Sequence, residues 1–219
     1  MDGCGNVEGE PVEALKMRQV VLIFGVATIL AIAAAAALVW IWDGGRMQSS
    51  SAGEALVGGP FALTDQHGQS VTEQDFAGRY MLIYFGYTYC PDVCPMSLTN
   101  MVAALDQLPP EQAAKVVPIL ITIDPERDTV EQLASYAPLF DPRLVALTGS
   151  EDQVRAAAKA YRVYYHKAEA GADAKDYLVD HSTFVYLMGP DGRYITHFGL
   201  NASPEEMAEA IGNQVGASS

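Results

Sequence analysis

Residues 81–95 have the sequence MLIYFGYTYCPDVCP, in which Cys90 and Cys94 follow an apolar run. The aromatic and β-branched composition of residues 80–87 predicts a buried strand. The pattern of residues 95–108 predicts an amphipathic helix, with Pro95 at its first position and Cys94 at its N-cap. Both thiols therefore lie in the turn after a strand, where open α/β sheets hold their ligands.

The elements around this turn predict an α/β fold with a mixed sheet. Residues 61–64 and 70–72 alternate across a His67-Gly68 turn, which predicts an N-terminal β-hairpin. The other predicted elements are strand 116–123, helix 129–137, strand 144–147, helix 151–161, an extended piece 163–166, strands 183–188 and 194–198 around the turn 189–192, and helix 204–211 with Ser203 as its cap. This order matches the thioredoxin pattern, extended by the hairpin and by a helix–strand insertion.

The two cysteines are separated by three residues, Pro91, Asp92 and Val93, rather than by the two of a thioredoxin redox pair. Two soft sulfurs at one turn indicate either redox chemistry or a soft metal. A helix dipole acting on Cys94 would favour its thiolate, which serves both chemistries equally. A disulfide remains the plainer interpretation of the pair taken alone.

A metal held by Cys90 and Cys94 needs a further ligand, which the histidines or methionines could supply. In a thioredoxin-like sheet, the loop leading into strand 183–188 lies against the dithiol turn, and His181 occupies that loop. Two thiolates and one imidazole suit Cu(I), or Cu(II) with an added donor. Structural zinc, which takes four protein ligands, is the second choice. Surface or core packing is the better prediction for the other histidines and for two helix methionines, namely His67, His166, His197, Met96 and Met101.

The charged segment Asp124-Pro-Glu-Arg-Asp-Thr129 follows the second long strand at the same end of the predicted sheet. One interpretation is a helix cap formed by Asp128. The other is a rim that contacts a partner or supports the site. Asp92, inside the dithiol loop, could tune the charge of the site or meet a partner.

The N-terminal part of the chain predicts a membrane anchor. Residues 20–42 carry no charge over 23 residues, a length of about 34 Å as a helix against a bilayer core of roughly 30 Å. Lys16 and Arg18 precede the run and Arg46 follows it, which favours a cytoplasmic N-terminus. A cleaved signal peptide is the rival interpretation. The predicted organisation is a cytoplasmic piece (1–18), an anchor (19–42), a flexible tether (43–56) and one folded domain (57–219).

The net charge of the chain is −14, and residues 1–42 hold four acidic and two basic residues, so the outer segment carries about −12. An acidic domain is a poor nucleic-acid binder. Cys90 and Cys94 would face an oxidising compartment in this topology and could pair when they hold no metal, whereas Cys4 lies across the membrane from them.

Three blocks in order resemble the Sco/SenC copper chaperones: YFGYTYCPDVCP at 84–95, IDPERDT at 123–129, and DHS at 180–182. The resemblance covers residues 57–214; Val130 departs from an expected proline, and residues 1–18 have no counterpart. It implies copper, as Cu(I) or Cu(II), held by Cys90, Cys94 and His181.

The resemblance further implies a thioredoxin-like domain tethered by a single pass to the plasma (inner) membrane, on the periplasmic side. It implies delivery of copper to the binuclear copper centre of cytochrome c oxidase, with that subunit and a copper-donor chaperone as partners. The chain would then be a metallochaperone rather than an enzyme. The alternative is a thiol–disulfide oxidoreductase acting on the cysteines of the oxidase copper site. A thiol peroxidase would need one attacking cysteine among a threonine and an arginine, a pattern not found in the sequence.

Overall fold

A computed structural model describes residues 57–168 and 177–217. These residues belong to one compact unit, Ala55–Ser219. The predicted N-terminal piece, anchor and tether, and Cys4, lie outside the described residues and stay predictions. Within the described ranges, no helix has the length and apolarity needed to cross a bilayer.

Nine strands and five α-helices are found in the described residues. The strands are β1 (Ala62–Asp65), β2 (Ser70–Thr72), β3 (Tyr80–Gly86), β4 (Val116–Thr122), β5 (Val145–Thr148), β6 (Tyr165–Lys167), β7 (Val179–His181), β8 (Val185–Met188) and β9 (Tyr194–Phe198). The helices are α1 (Val93–Asp106), α2 (Pro110–Ala113), α3 (Val130–Tyr136), α4 (Glu151–Ala160) and α5 (Pro204–Ala217), with short 3₁₀ turns at Glu73–Phe76 and Ala137–Leu139.

Seven strands form one mixed sheet in the order β2-β1-β5-β4-β3-β8-β9, and β6 pairs with β7 separately. The three central strands β3, β4 and β5 run parallel, whereas β8, β9, β1 and β2 are added antiparallel. Every residue of β3 and β4 is buried, as expected for continuous apolar runs inside a sheet covered on both faces. The predicted thioredoxin-like α/β fold with an N-terminal hairpin is therefore confirmed.

Some predicted helix boundaries were wrong, at the dithiol turn and at the end of the last helix. Helix α1 begins at Val93 with Asp92 at its N-cap, so Cys94 is a first-turn residue and not the cap. Pro95 is tolerated there because the first turn of a helix leaves its N–H groups without intrahelical acceptors. Helix α5 continues to Ala217, past the predicted end at Ile211.

His181 ends a separate strand, β7, instead of leading directly into the strand of residues 183–188, which begins at Val185. Its backbone is paired with Tyr165 of β6. This small sheet, rather than the loop that the sequence predicted, holds the histidine in place.

Candidate metal centre

Cys90 lies in the turn after β3, and Cys94 lies in the first turn of α1. Cys90 is half-buried and Cys94 is buried, and both are free. The backbone N–H of Cys94 donates to Cys90 Sγ over 3.4 Å, and the N–H of Cys90 donates to the Tyr87 carbonyl over 3.3 Å. The Cys90 sulfur therefore lies against the backbone of Cys94.

His181 directs one ring nitrogen at the buried sulfur. Its Nε2 lies 3.5 Å from Cys94 Sγ, and its Nδ1 lies 2.9 Å from the carbonyl oxygen of Ser182. A carbonyl only accepts hydrogen bonds, so the proton is assigned to Nδ1 and the Nε2 lone pair faces the sulfur. Burial lowers the pKa of His181, although the Ser182 carbonyl opposes this shift. A neutral imidazole anchored through its second nitrogen is the usual form of a metal-ligating histidine.

Cys94 is held as a thiol at neutral pH. Burial raises its pKa to about 12, an effect to which the Cys90 thiol adds and which hydrogen bonds from the Tyr87 backbone and the Tyr84 hydroxyl oppose. The expectation that the helix N-terminus would favour thiolate is wrong for the metal-free protein, because desolvation dominates. A metal that binds this sulfur must displace its proton.

Two tyrosines enclose the imidazole. Tyr84 and Tyr87 each place a ring centroid 6.0 Å from that of His181, in edge-to-face geometry. The Tyr87 hydroxyl also accepts a hydrogen bond from the backbone N–H of Val179 over 3.2 Å, which ties β7 to the dithiol loop. Neither tyrosine was predicted to be part of the site, because in sequence each looks like an ordinary core residue of an apolar strand.

The Asp128 side chain is hydrogen-bonded to the segment that precedes Cys90. Its buried carboxylate accepts hydrogen bonds from the Thr122 hydroxyl and the Thr88 hydroxyl, each at 2.6 Å, and from the Thr88 backbone N–H at 3.1 Å. Burial raises the pKa of Asp128. Asp128 is not the cap of helix α3, which was one interpretation of the sequence. The cap is Thr129, whose hydroxyl accepts a hydrogen bond from the Gln132 N–H. Asp128 therefore fixes Thr88, two residues before Cys90.

Asp124, another acidic residue of the charged segment, is bonded to Arg127 and to Tyr177. Asp124 is fully buried, forms an ion pair with Arg127, and accepts a hydrogen bond from the Tyr177 hydroxyl over 2.6 Å. The Arg127 guanidinium lies 3.7 Å from the Tyr177 ring centroid and 4.8 Å from that of Tyr89, which follows β3. Such cation–π contacts join the two segments that flank the site.

The remaining candidates lie apart from this centre. His67, His166 and His197 are exposed, and His197 Nδ1 pairs with the Tyr194 hydroxyl. Met101 is buried in the core as predicted, but Met96 is 42% exposed, contrary to the core prediction. Asp92 is exposed at the N-cap of α1.

The donor set suits a soft cation. In residues 57–168 and 177–217 no group of three or more His, Cys, Asp or Glu side chains is already arranged around a common metal position. Cys94 Sγ contacts His181 Nε2, and Cys90 Sγ accepts a hydrogen bond from the backbone N–H of Cys94. Two thiols that follow the central strand β3, with an imidazole from β7 beside them, define a thiol-based metal-binding or redox protein of thioredoxin-like fold.

Comparison with known proteins identifies the family. The family model SCO1/SenC matches residues 49–216, so the chain belongs to the SCO1/SenC family. It is 45% identical over 160 residues to the human "Protein SCO1 homolog, mitochondrial", covering 73% of this chain and 53% of the relative. The chain spans about half the length of the curated relatives it matches.

Two solved structures of copper-bound Sco proteins are similar to the described domain. Arabidopsis thaliana ScoI with copper bound has a TM-score of 0.68 at 40% identity, over 74% of this chain and 99% of that one. Bradyrhizobium japonicum ScoI with copper bound has a TM-score of 0.66 at 42% identity, over 72% of this chain and 99% of that one.

Proposed function

We propose that this protein is a membrane-tethered copper metallochaperone. It holds copper through Cys90, Cys94 and His181 and delivers the ion to the binuclear copper centre of cytochrome c oxidase during assembly. The observation that carries the proposal is the 3.5 Å approach of His181 Nε2 to Cys94 Sγ, with Nδ1 occupied by a backbone carbonyl. Membership of the SCO1/SenC family and two copper-bound relatives support it.

The spacing of the sulfur and nitrogen fits two ligands of one ion. For comparison, a tetrahedral metal with a sulfur at about 2.3 Å and a nitrogen at about 2.0 Å separates these ligands by roughly 3.5 Å. Two thiolates and an imidazole match the softness of Cu(I), and Cu(II) needs an added donor such as water. A three-ligand site also leaves room for a thiolate of the receiving protein, so the ion can pass through a shared-ligand intermediate.

The proposed location is the plasma (inner) membrane, with residues 19–42 as a single span and the folded domain on the periplasmic side. The uncharged run 20–42 and the basic residues before it support this topology. The proposed partners are the copper-bearing oxidase subunit and a second chaperone that supplies the copper. The net charge of −14 argues against nucleic acid as a partner.

A second candidate function is thiol–disulfide exchange on the cysteines of the oxidase copper site. The observation that favours it is the pair of free thiols, of which Cys90 is half-buried. The chaperone requires all three ligands, whereas exchange requires only the cysteines. His181 therefore separates the two functions.

The test uses cells at scarce copper that carry His181→Ala or Cys90→Ser, with His197→Ala as a matched histidine control. Oxidase activity should fall for the first two variants and stay at the parent level for the control. In a parallel assay, the purified His181→Ala chain should retain disulfide-reductase activity and Cys90→Ser should lose it. Full oxidase assembly by the His181→Ala cells would refute the chaperone and favour the oxidoreductase.

A further inference from the structure

Tyr84 contacts two of the three proposed ligands from within the core. Its side chain is fully buried on β3, its hydroxyl lies 3.6 Å from Cys94 Sγ, and its ring packs edge-to-face on His181. Sulfur acceptors take hydrogen bonds at longer distances than oxygen because the atom is larger. The hydroxyl is therefore within hydrogen-bond distance of the sulfur, in a space closed to solvent.

The surroundings make Tyr84 a donor to this sulfur. A tyrosine hydroxyl carries one proton that it can donate, and here it lies 3.6 Å from Cys94 Sγ. The Ser97 hydroxyl, which also interacts with Tyr84, donates its own proton to the Val93 carbonyl over 2.9 Å. The Ser97 oxygen is therefore a competing acceptor beside Tyr84, whereas the Tyr84 hydroxyl lies at donor distance from Cys94 Sγ.

We infer that Tyr84 is a positioning residue of the copper site, whose hydroxyl hydrogen-bonds Cys94 Sγ and stabilises its electron-rich, reduced forms. The sulfur of a thiol or thiolate accepts such a bond better than the sulfur of a disulfide. The hydroxyl therefore favours the dithiol over the disulfide, and it withdraws density from a metal-bound thiolate, as hydrogen bonds to ligating sulfurs generally do. The copper part of this inference rests on the proposed function, and the dithiol part does not.

The first arm of the test is metal-free. In oxidation by glutathione disulfide, Cys90 and Cys94 lose two electrons and two protons, an intrachain disulfide forms, and two glutathione molecules are released. In the full chain with Cys4→Ser, Tyr84→Phe should raise the equilibrium constant for this oxidation by about fivefold, the size of one lost buried hydrogen bond. That change makes the reduction potential about 20 mV more negative, since tenfold corresponds to 29.6 mV for a two-electron couple.

Three controls distinguish this effect from a general loss of packing. Tyr80→Phe removes a buried hydroxyl from the same strand that donates to the Gln214 carbonyl, and it should leave the potential unchanged. Ser97→Ala should also leave it unchanged; a shift in the positive direction would mean that the Tyr84 proton goes to Ser97 in the parent chain and reaches Cys94 only when Ser97 is removed, which would overturn the inference. Replacement of Tyr84 by 3-fluorotyrosine, a stronger donor of the same shape, should move the potential in the positive direction.

The second arm uses the Cu(II)-loaded chain. Loss of the hydrogen bond raises the energy of the sulfur electrons, so Tyr84→Phe should shift the sulfur-to-copper charge-transfer absorption to longer wavelength. An unchanged potential in Tyr84→Phe, or equal shifts in Tyr80→Phe, would overturn the inference about Tyr84. Failure of the parent chain to bind copper would overturn the proposed function instead, while the metal-free arm would still decide the role of Tyr84.

Discussion

A side chain at Gly86 should destabilise the fold, because this last residue of β3 lies against Tyr84 and the proposed ligand Cys94. A Cβ built at Gly86 would lie 2.6 Å from Tyr84 Cε1 and 3.1 Å from Cys94 Sγ. The first distance is a severe overlap, and both neighbours are fully buried, so neither can swing into solvent. Adding one carbon to a closed core costs about 1–3 kcal/mol in unfolding free energy.

We expect Gly86→Ala to lower the unfolding temperature by about 2–12 °C, at about 2–4 °C for each kcal/mol in a domain of this size. Gly199→Ala is the matched control, since no atom lies within 4 Å of its added Cβ. The assay is thermal unfolding of the reduced, metal-free protein, followed by Cu(I) titration of each variant. Displacement of Tyr84 or Cys94 should weaken copper binding only in Gly86→Ala. A Gly86→Ala protein that matched the control in both measurements would refute the tight packing of β3 against the thiol.

Three further outcomes follow from the site and its supports. At pH 7, Cu(I) binding should release at least one proton, because the pKa of Cys94 is about 12 and that of His181 is lowered. The apparent Cu(I) affinity, measured against a chelator of known protonation, should therefore rise at least about tenfold per pH unit between pH 6 and 8. An affinity that did not change with pH would exclude Cys94 as a ligand. Asp128→Asn should lower the unfolding free energy by about 1–3 kcal/mol in chemical denaturation, because the amide replaces one of the acceptor oxygens that hold Thr88; unchanged stability would mean that this network does not support the loop. A chain that starts at Ser49, where the family match begins, should fold and bind copper in solution, as circular dichroism and metal analysis would show; loss of either would mean that the preceding residues contribute structure.

Local pattern was enough to predict the central strands and the site elements that depend on a single segment. Strands β3 and β4 are both continuous apolar runs, and the length and composition of each run identify it as a buried strand. The turn that carries Cys90 and Cys94 follows from that strand and the helix after it. His181 was assigned by its place in the thioredoxin pattern, and the structure puts its Nε2 beside Cys94.

What was missed depends on contacts between distant segments. The strand β7 that holds His181 forms only by pairing with β6, which no local periodicity reveals. Asp128 resembles a helix cap in sequence, but its carboxylate is turned inward to Thr88, forty residues earlier in the chain. Tyr84 is indistinguishable from a core aromatic until helix α1 places Cys94 against its hydroxyl. In each case a polar group acquires its role from burial and from a partner that the fold supplies.

The most direct test of the copper site is Cu(I) binding by the reduced chain with Cys4→Ser, compared between His181→Ala and His197→Ala. The parent and the His197→Ala variant should each bind one Cu(I) per chain, with equal affinity against a competing chelator. His181→Ala should bind far more weakly, and oxidation of Cys90 and Cys94 to a disulfide should abolish tight binding in the parent and in His197→Ala. Equal copper affinity in the two histidine variants, or tight binding by the oxidised chain, would contradict a site built from these two thiols and this imidazole.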